Sequence, residues 1–164
     1  MQAIIKTSPE RKLIGKRIQT CIANDKTFEL WKSFMPHHHQ IKNKITEELI
    51  SMQVFPPAFD FSNFNIQAEF EKWATAEVSE FQMIPEGMET YIIPSGLYAV
   101  FLHKGPASDG QKTFQYIFGT WLPNSIYALD SRPHFEILGE KYKNNDPDSE
   151  EEIWVPIKHN NDFN

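Results

Sequence analysis

The chain reads as an α+β domain built on an antiparallel sheet, and three observations predict it. Segments of alternating polarity recur along its length, the period-2 pattern of half-buried strands. Two stretches, residues 28–35 and 114–121, instead carry apolar side chains at helical spacing. The order of elements also repeats: short strand, strand, helix, strand, strand, then the same again from about residue 89. Two such modules, about residues 1–80 and 89–158, predict one domain over residues 1–158. Helices are expected on one side of its sheet and a ligand groove on the other. Residues 159–164 are polar and predict a flexible tail.

Each element has a local reason. Residues 3–6 (AIIK) are a short apolar run stopped by Ser8-Pro9. Residues 12–22 alternate imperfectly and carry β-branched side chains, which suits a strand. Asn24 or Asp25 caps the following helix, whose apolar face is Phe28, Trp31 and Met35 and which Pro36 ends or kinks. Residues 50–55 (ISMQVF) form a strand closed by Pro56-Pro57. Residues 58–68 mix Asp, Asn and Ser with phenylalanines, a loop that packs down. Residues 69–79 alternate cleanly, with Phe70, Lys72, Ala74, Ala76 and Val78 on one face and Glu71, Trp73, Thr75 and Glu77 on the other.

The second module begins with the strand Glu89–Ile93 and another over residues 97–103. Ser108 and Gln111 have the spacing of a capping box. Phe114, Ile117, Phe118 and Trp121 form one apolar helix face, and Pro123 ends it. Residues 133–141 and 150–158 are strands joined by an acidic turn around Asp146-Pro147.

Composition narrows the function. A chain of 164 residues with 40% hydrophobic content suits one sizeable core. A net charge of −6 without a basic stripe argues against direct nucleic-acid binding. The single cysteine, Cys21, forbids an internal disulfide and points to a reducing, cytoplasmic compartment. The first residues lack the apolar core of a signal peptide, and no run reaches membrane-spanning length. Thirteen phenylalanines in so small a chain suit a ring-lined pocket as well as a core.

Several motifs carry no chemistry on inspection. Consecutive side chains on a helix diverge by about 100°, so His37, His38 and His39 converge poorly on one ion. Asp146, Asp148 and Glu150 imitate the start of a calcium loop, but Pro147 intrudes and the required glycine is missing. No phosphate-cradling glycine loop, nucleophile elbow or H-E-x-x-H stretch is present. Cys21 has no neighbouring base in sequence and reads as a small hydrophobe. Neither a metal nor a cofactor is expected.

The remaining signal is Glu136, a carboxylate on a mainly apolar strand. It shares a face with His134 and Leu138, opposite Phe135 and Ile137. Trp73 and Trp154 hold central strand positions, where each serves equally as core or as groove lining, and Tyr98 shares a face with Val100 and Leu102.

Four pieces in order, His103-Lys104-Gly105-Pro106, Trp121-Leu122-Pro123, Pro133-His134-Phe135-Glu136 and Ile153-Trp154-Val155-Pro156-Ile157, resemble the GyrI-like family of effector-binding domains. The resemblance covers residues 96–158 and extends into the first half through residues 69–78 (EFEKWATAEV). It implies tandem strand-helix-strand-strand modules around a groove for amphipathic, often cationic molecules, with the counterpart of Glu136 inside it. The ligand-binding set expected here is Glu136 for charge, Trp73 and Trp154 for stacking, and Tyr98 for a hydroxyl. Residues 1–158 leave no room for the helix-turn-helix that some members carry, so a stand-alone binding module is expected. Two rivals follow from the same resemblance. One is hydrolysis of cyclopropane-containing DNA-alkylating natural products with Glu136 as general base; the other is inhibition of a protein partner such as DNA gyrase.

Overall fold

In the computed structural model, which describes residues 1–61, 65–144 and 146–160, the alternating segments become antiparallel strands. In chain order these are β1 (Ala3–Ser8), β2 (Arg11–Thr20), β3 (Lys44–Val54), β4 (Phe70–Val78), β5 (Glu89–Ile93), β6 (Gly96–Lys104), β7 (Tyr127–Leu129), β8 (His134–Leu138) and β9 (Glu150–His159). Helix α1 (Thr27–Phe34) follows β2, and helix α2 (Gly110–Tyr116) follows β6. The sheet runs β1-β6-β9-β8-β3-β4-β2-β5, with β7 paired off this path to β9. The class is α+β, as expected.

That order reads the same from either edge once β1 is exchanged with β5, β2 with β6, β3 with β8 and β4 with β9. The opening strand of each half is carried across to the other half, β1 onto β6 and β5 onto β2. The halves are therefore interlocked, and β3 against β8 forms the seam.

Registers across the sheet assign its faces. Lys16, Ala74, Ser51, Glu136, Ile153, Phe101 and Ala3 lie in one row, so they share a face. The next row holds Arg17, Trp73, Met52, Phe135, Trp154, Val100 and Ile4 on the opposite face. At Gly15 a Cβ would run into the backbone of Ala74, so only glycine permits β2 to approach β4 there.

Both helices pack on the Glu136 face but over its flanks. Leu30 and Phe34 of α1 bury against Ile14, Ala74, Ala76 and Val78. Phe114 of α2 and Ile117, Phe118 and Trp121 beyond it cover Ala99, Phe101, Ile153 and Val155. This is the face that the spacing required to pack on something. The opposite face closes on itself around Leu13, Met52, Trp73, Tyr98, Phe135 and Trp154. The Arg11 guanidinium on β2 lies 5.0 Å from the ring centroid of Trp154, four strands away, which shows that the sheet curls around these rings.

Local details depart from expectation where neighbours intervene. Asp25 accepts from the Thr27 amide at 3.0 Å without occupying the cap position itself. Neither Ser108 nor Gln111 caps α2, because a 3-10 turn (Ala107–Asp109) leads into it and closes through the Pro106 carbonyl. Past α2 the chain widens into a π turn (Ile117–Trp121) before Pro123 ends it in a 3-10 turn. His159 belongs to β9; residues 161–164 of the expected tail, residues 62–64 of the phenylalanine-rich loop and residue 145 of the acidic turn lie outside the described residues. Among the described residues no helix is long and apolar enough to cross a membrane.

Candidate functional site

With α1 and α2 on the flanks, the central strands β3 and β8 are left uncovered between them, and a cleft of about 1920 Å³ opens there. The groove thus lies on the helix side of the sheet, not on the free side as expected. The physical reason is the curl: the free side is concave and its aromatics meet one another, so no space remains.

The strands supply a polar floor. Ser51 and Gln53 project from β3, Lys72 from β4, His134 and Glu136 from β8, and Glu151 from β9. Lys72, Gln53 and His134 form one cross-strand row; Ser51 and Glu136 form the next. The walls are apolar. Phe28, Trp31 and Met35 come from α1 and the residue after it, and Phe114 and Phe118 from α2 and the turn beyond. Phe28 is 77% exposed, a large ring turned to an open cleft rather than into a core.

One end of the cleft is a cage of rings around His134. Phe61 stacks on its imidazole at 5.2 Å, Phe55 meets it edge-on at 4.9 Å, and Phe118 lies 5.9 Å away. Phe61 and Phe118 stack on each other at 4.9 Å. Burial pushes the His134 pKa down to about 3, so its ring is neutral.

Glu136 is 8% exposed. Its Oε1 accepts from Gln53 Nε2 at 3.2 Å, while its buried Oε2 has no hydrogen-bond partner. Burial pushes its pKa up to about 8, opposed by the Lys72 ammonium and reinforced by Glu151. Glu151 is itself raised by burial, with His103 and Lys72 pulling the other way. The Tyr142 hydroxyl faces the same pair, its pKa raised by burial and by both carboxyls. The floor is a half-satisfied polar cluster in an apolar cleft, able to receive a charged or hydrogen-bonding group.

A scan against family models matches the GyrI-like small molecule binding domain over residues 1–158. The chain belongs to the GyrI-like family. Its relative, the transcriptional regulator BrlR of Pseudomonas aeruginosa, is 28% identical over 158 residues, which are 96% of this chain and 56% of BrlR. The GyrI-like chain thus spans little more than half of that regulator. Among solved structures, SAV2435 bound to tetraphenylphosphonium superposes with a TM-score of 0.74 at 14% identity, covering 96% of this chain and 94% of that one. A hydrolase encoded by lin2189 of Listeria innocua superposes at 0.60 with 11% identity, covering 96% and 92%. These two likenesses show the fold.

Of the expected ligand-binding set, only Glu136 lines the groove. Trp73, Trp154 and Tyr98 lie in the core on the other face, because period-2 alternation sets each one residue out of phase with the floor. Their polar tips are already used: Tyr98 Oη donates to the Pro133 carbonyl at 2.8 Å, Trp154 Nε1 to Glu152 at 3.0 Å, and Trp73 Nε1 to Glu71. Sequence reasoning missed Gln53, Tyr142 and the phenylalanine cage as site residues. The signal for the cage was the density of phenylalanines over residues 55–70 beside polar residues, read only as loop packing. Lys72 also carried one, since it stands on the face of Ala74 and not that of Trp73.

Proposed function

We propose that this domain binds amphipathic, ring-bearing molecules with positive charge in the groove between α1 and α2, with Glu136 as the counter-charge. The observation that carries this reading is the buried Glu136 carboxyl, whose Oε2 lacks a partner in a cleft walled by exposed and stacked rings. Rings bury the ligand's faces and the carboxylate selects its charge. That SAV2435 holds tetraphenylphosphonium on the same fold supports the ligand class. The composition supports action in the cytoplasm, on a small ligand rather than on nucleic acid.

A cation binds the ionised form of Glu136, so binding expels a proton wherever the free carboxyl is protonated. Affinity for tetraphenylphosphonium therefore rises about tenfold per pH unit below a pKa of about 8 and levels off above it. Calorimetric titration tests this together with Glu136→Gln. The variant should weaken the cation about tenfold or more and leave neutral triphenylphosphine oxide within about twofold. Equal loss of both ligands would overturn the reading.

Hydrolysis is the second reading, supported by the same free Oε2, which is positioned to hold a water against a strained electrophile such as a cyclopropane. A base with its pKa raised to about 8 is mostly protonated at neutral pH, so turnover would climb with pH through that value. Here Glu136→Gln should abolish turnover and leave substrate binding intact.

A further inference from the structure

We propose that Lys72 is a second anchor in this groove, so that the ligand is an amphipathic zwitterion rather than a bare cation: its positive end meets Glu136 and an anionic or strongly accepting group meets Lys72. This inference rests on the reading that the groove binds ligands through Glu136 and specifies their class.

Lys72 is half-buried and projects from β4 onto the floor, level with Gln53 and His134. The described residues give its ammonium no hydrogen bond and no ion pair, although its charge is felt at both Glu136 and Glu151. Of the other lysines near this face, Lys16 donates to Ser33, Lys44 meets His38 and Lys141 pairs with Glu150. Lys32 also lines the cleft, but on the α1 wall rather than on the strand floor beside Glu136. Solvent reaches this ammonium, so it is free to exchange water for an incoming acceptor.

The complementary vacancy is Glu136 Oε2, more than nine-tenths buried and equally unpartnered. An ammonium and a carboxyl oxygen, each without a protein partner among the described residues, face one cleft without meeting each other. His134 is neutral and stacked among rings, so the strands contribute no other cation to the floor among the described residues. A bare lipophilic cation satisfies Glu136 but is repelled by Lys72. A ligand with an added carboxylate, sulfonate or phosphate satisfies both.

The test uses two probes that share one body, carboxybutyltriphenylphosphonium (a zwitterion at neutral pH) and its methyl ester (a cation). Calorimetric titration is run on wild type, Lys72→Met, Lys72→Arg and Glu136→Gln, with far-UV circular dichroism to check folding. Wild type should bind the zwitterion at least as tightly as the ester. Lys72→Met should weaken the zwitterion about tenfold while the ester stays unchanged or tightens, and Lys72→Arg should restore the preference. Glu136→Gln should weaken both. If Lys72→Met moves both probes alike, or if wild type prefers the ester, the inference fails while binding through Glu136 stands. If wild type binds neither probe nor tetraphenylphosphonium, the groove reading fails and this inference with it.

Discussion

The two faces of the central strands are built from the same kinds of side chain and do opposite things. On the concave face, Tyr98, Phe135 and Trp154 pack within 5.9 Å of one another, and Arg11 lies over Phe135 and Trp154. Tyr98, Trp73 and Trp154 all find hydrogen-bond acceptors, and Arg11 is paired with Glu77 at 2.8 Å. On the helix face, Glu136 keeps an unpartnered oxygen, Lys72 has no partner among the described residues, and Phe28 stands in the open. Aromatic and charged content therefore does not separate core from site. What separates them is open space beside the unmet groups. On the closed face Arg132 Nε is also unpartnered but packs over Tyr98, whereas Glu136 Oε2 and Lys72 border a cleft that a ligand can enter.

The sharpest way to break this comparison is to truncate one ring on each face. Trp154→Ala opens a cavity in the closed core and should cost about 3–5 kcal/mol of unfolding free energy in urea titration. A much smaller loss would mean that the concave face is not the main core.

Next in size is the pH dependence of stability, which the helix face dominates. Glu136 is raised from 4.5 to about 8, so between those values the native state holds a proton that the unfolded chain has lost, and stability falls as pH rises. His134 is lowered from 6.5 to about 3, so between those values the unfolded chain holds the extra proton, and stability rises with pH. The two slopes, each about 1.4 kcal/mol per pH unit, oppose each other between 4.5 and 6.5. The expected profile rises from pH 3, is flat between 4.5 and 6.5, and falls towards 8. Glu136→Gln should remove the fall, so that its stability relative to wild type grows steadily up to about pH 8. A difference independent of pH would show that the carboxyl is solvated.

Smaller effects sharpen the contrast. Tyr98→Phe leaves the Pro133 carbonyl without its donor and should cost about 1–2 kcal/mol with no change in tetraphenylphosphonium affinity. Phe28→Ala should do the reverse, changing stability by less than about 0.5 kcal/mol while weakening that ligand several-fold. Matching effects of the two variants on both readouts would erase the distinction between the faces.

How much of this was legible beforehand follows the range of the forces involved. Alternation over residues 69–79 and around Glu136 assigned each side chain to one of two faces, and the registers agree residue by residue. Helical spacing likewise named the face of α2 that buries. For α1 it named Phe28, Trp31 and Met35, which line the cleft, while Leu30 and Phe34 go to the core. Both are consequences of backbone geometry acting over a few residues. The sequence by itself therefore determined the α+β class, the two helices and the separation of Glu136 from Phe135. Which face would open was decided by tertiary structure alone. It depended on the direction in which the sheet curls, bringing Arg11 of β2 over Trp154 of β9, and on α1 and α2 docking at the flanks and leaving β3 and β8 bare. Curvature and docking sum contacts between residues far apart in the chain, so no local period encodes them, and Trp73 and Trp154 went to the core for that reason.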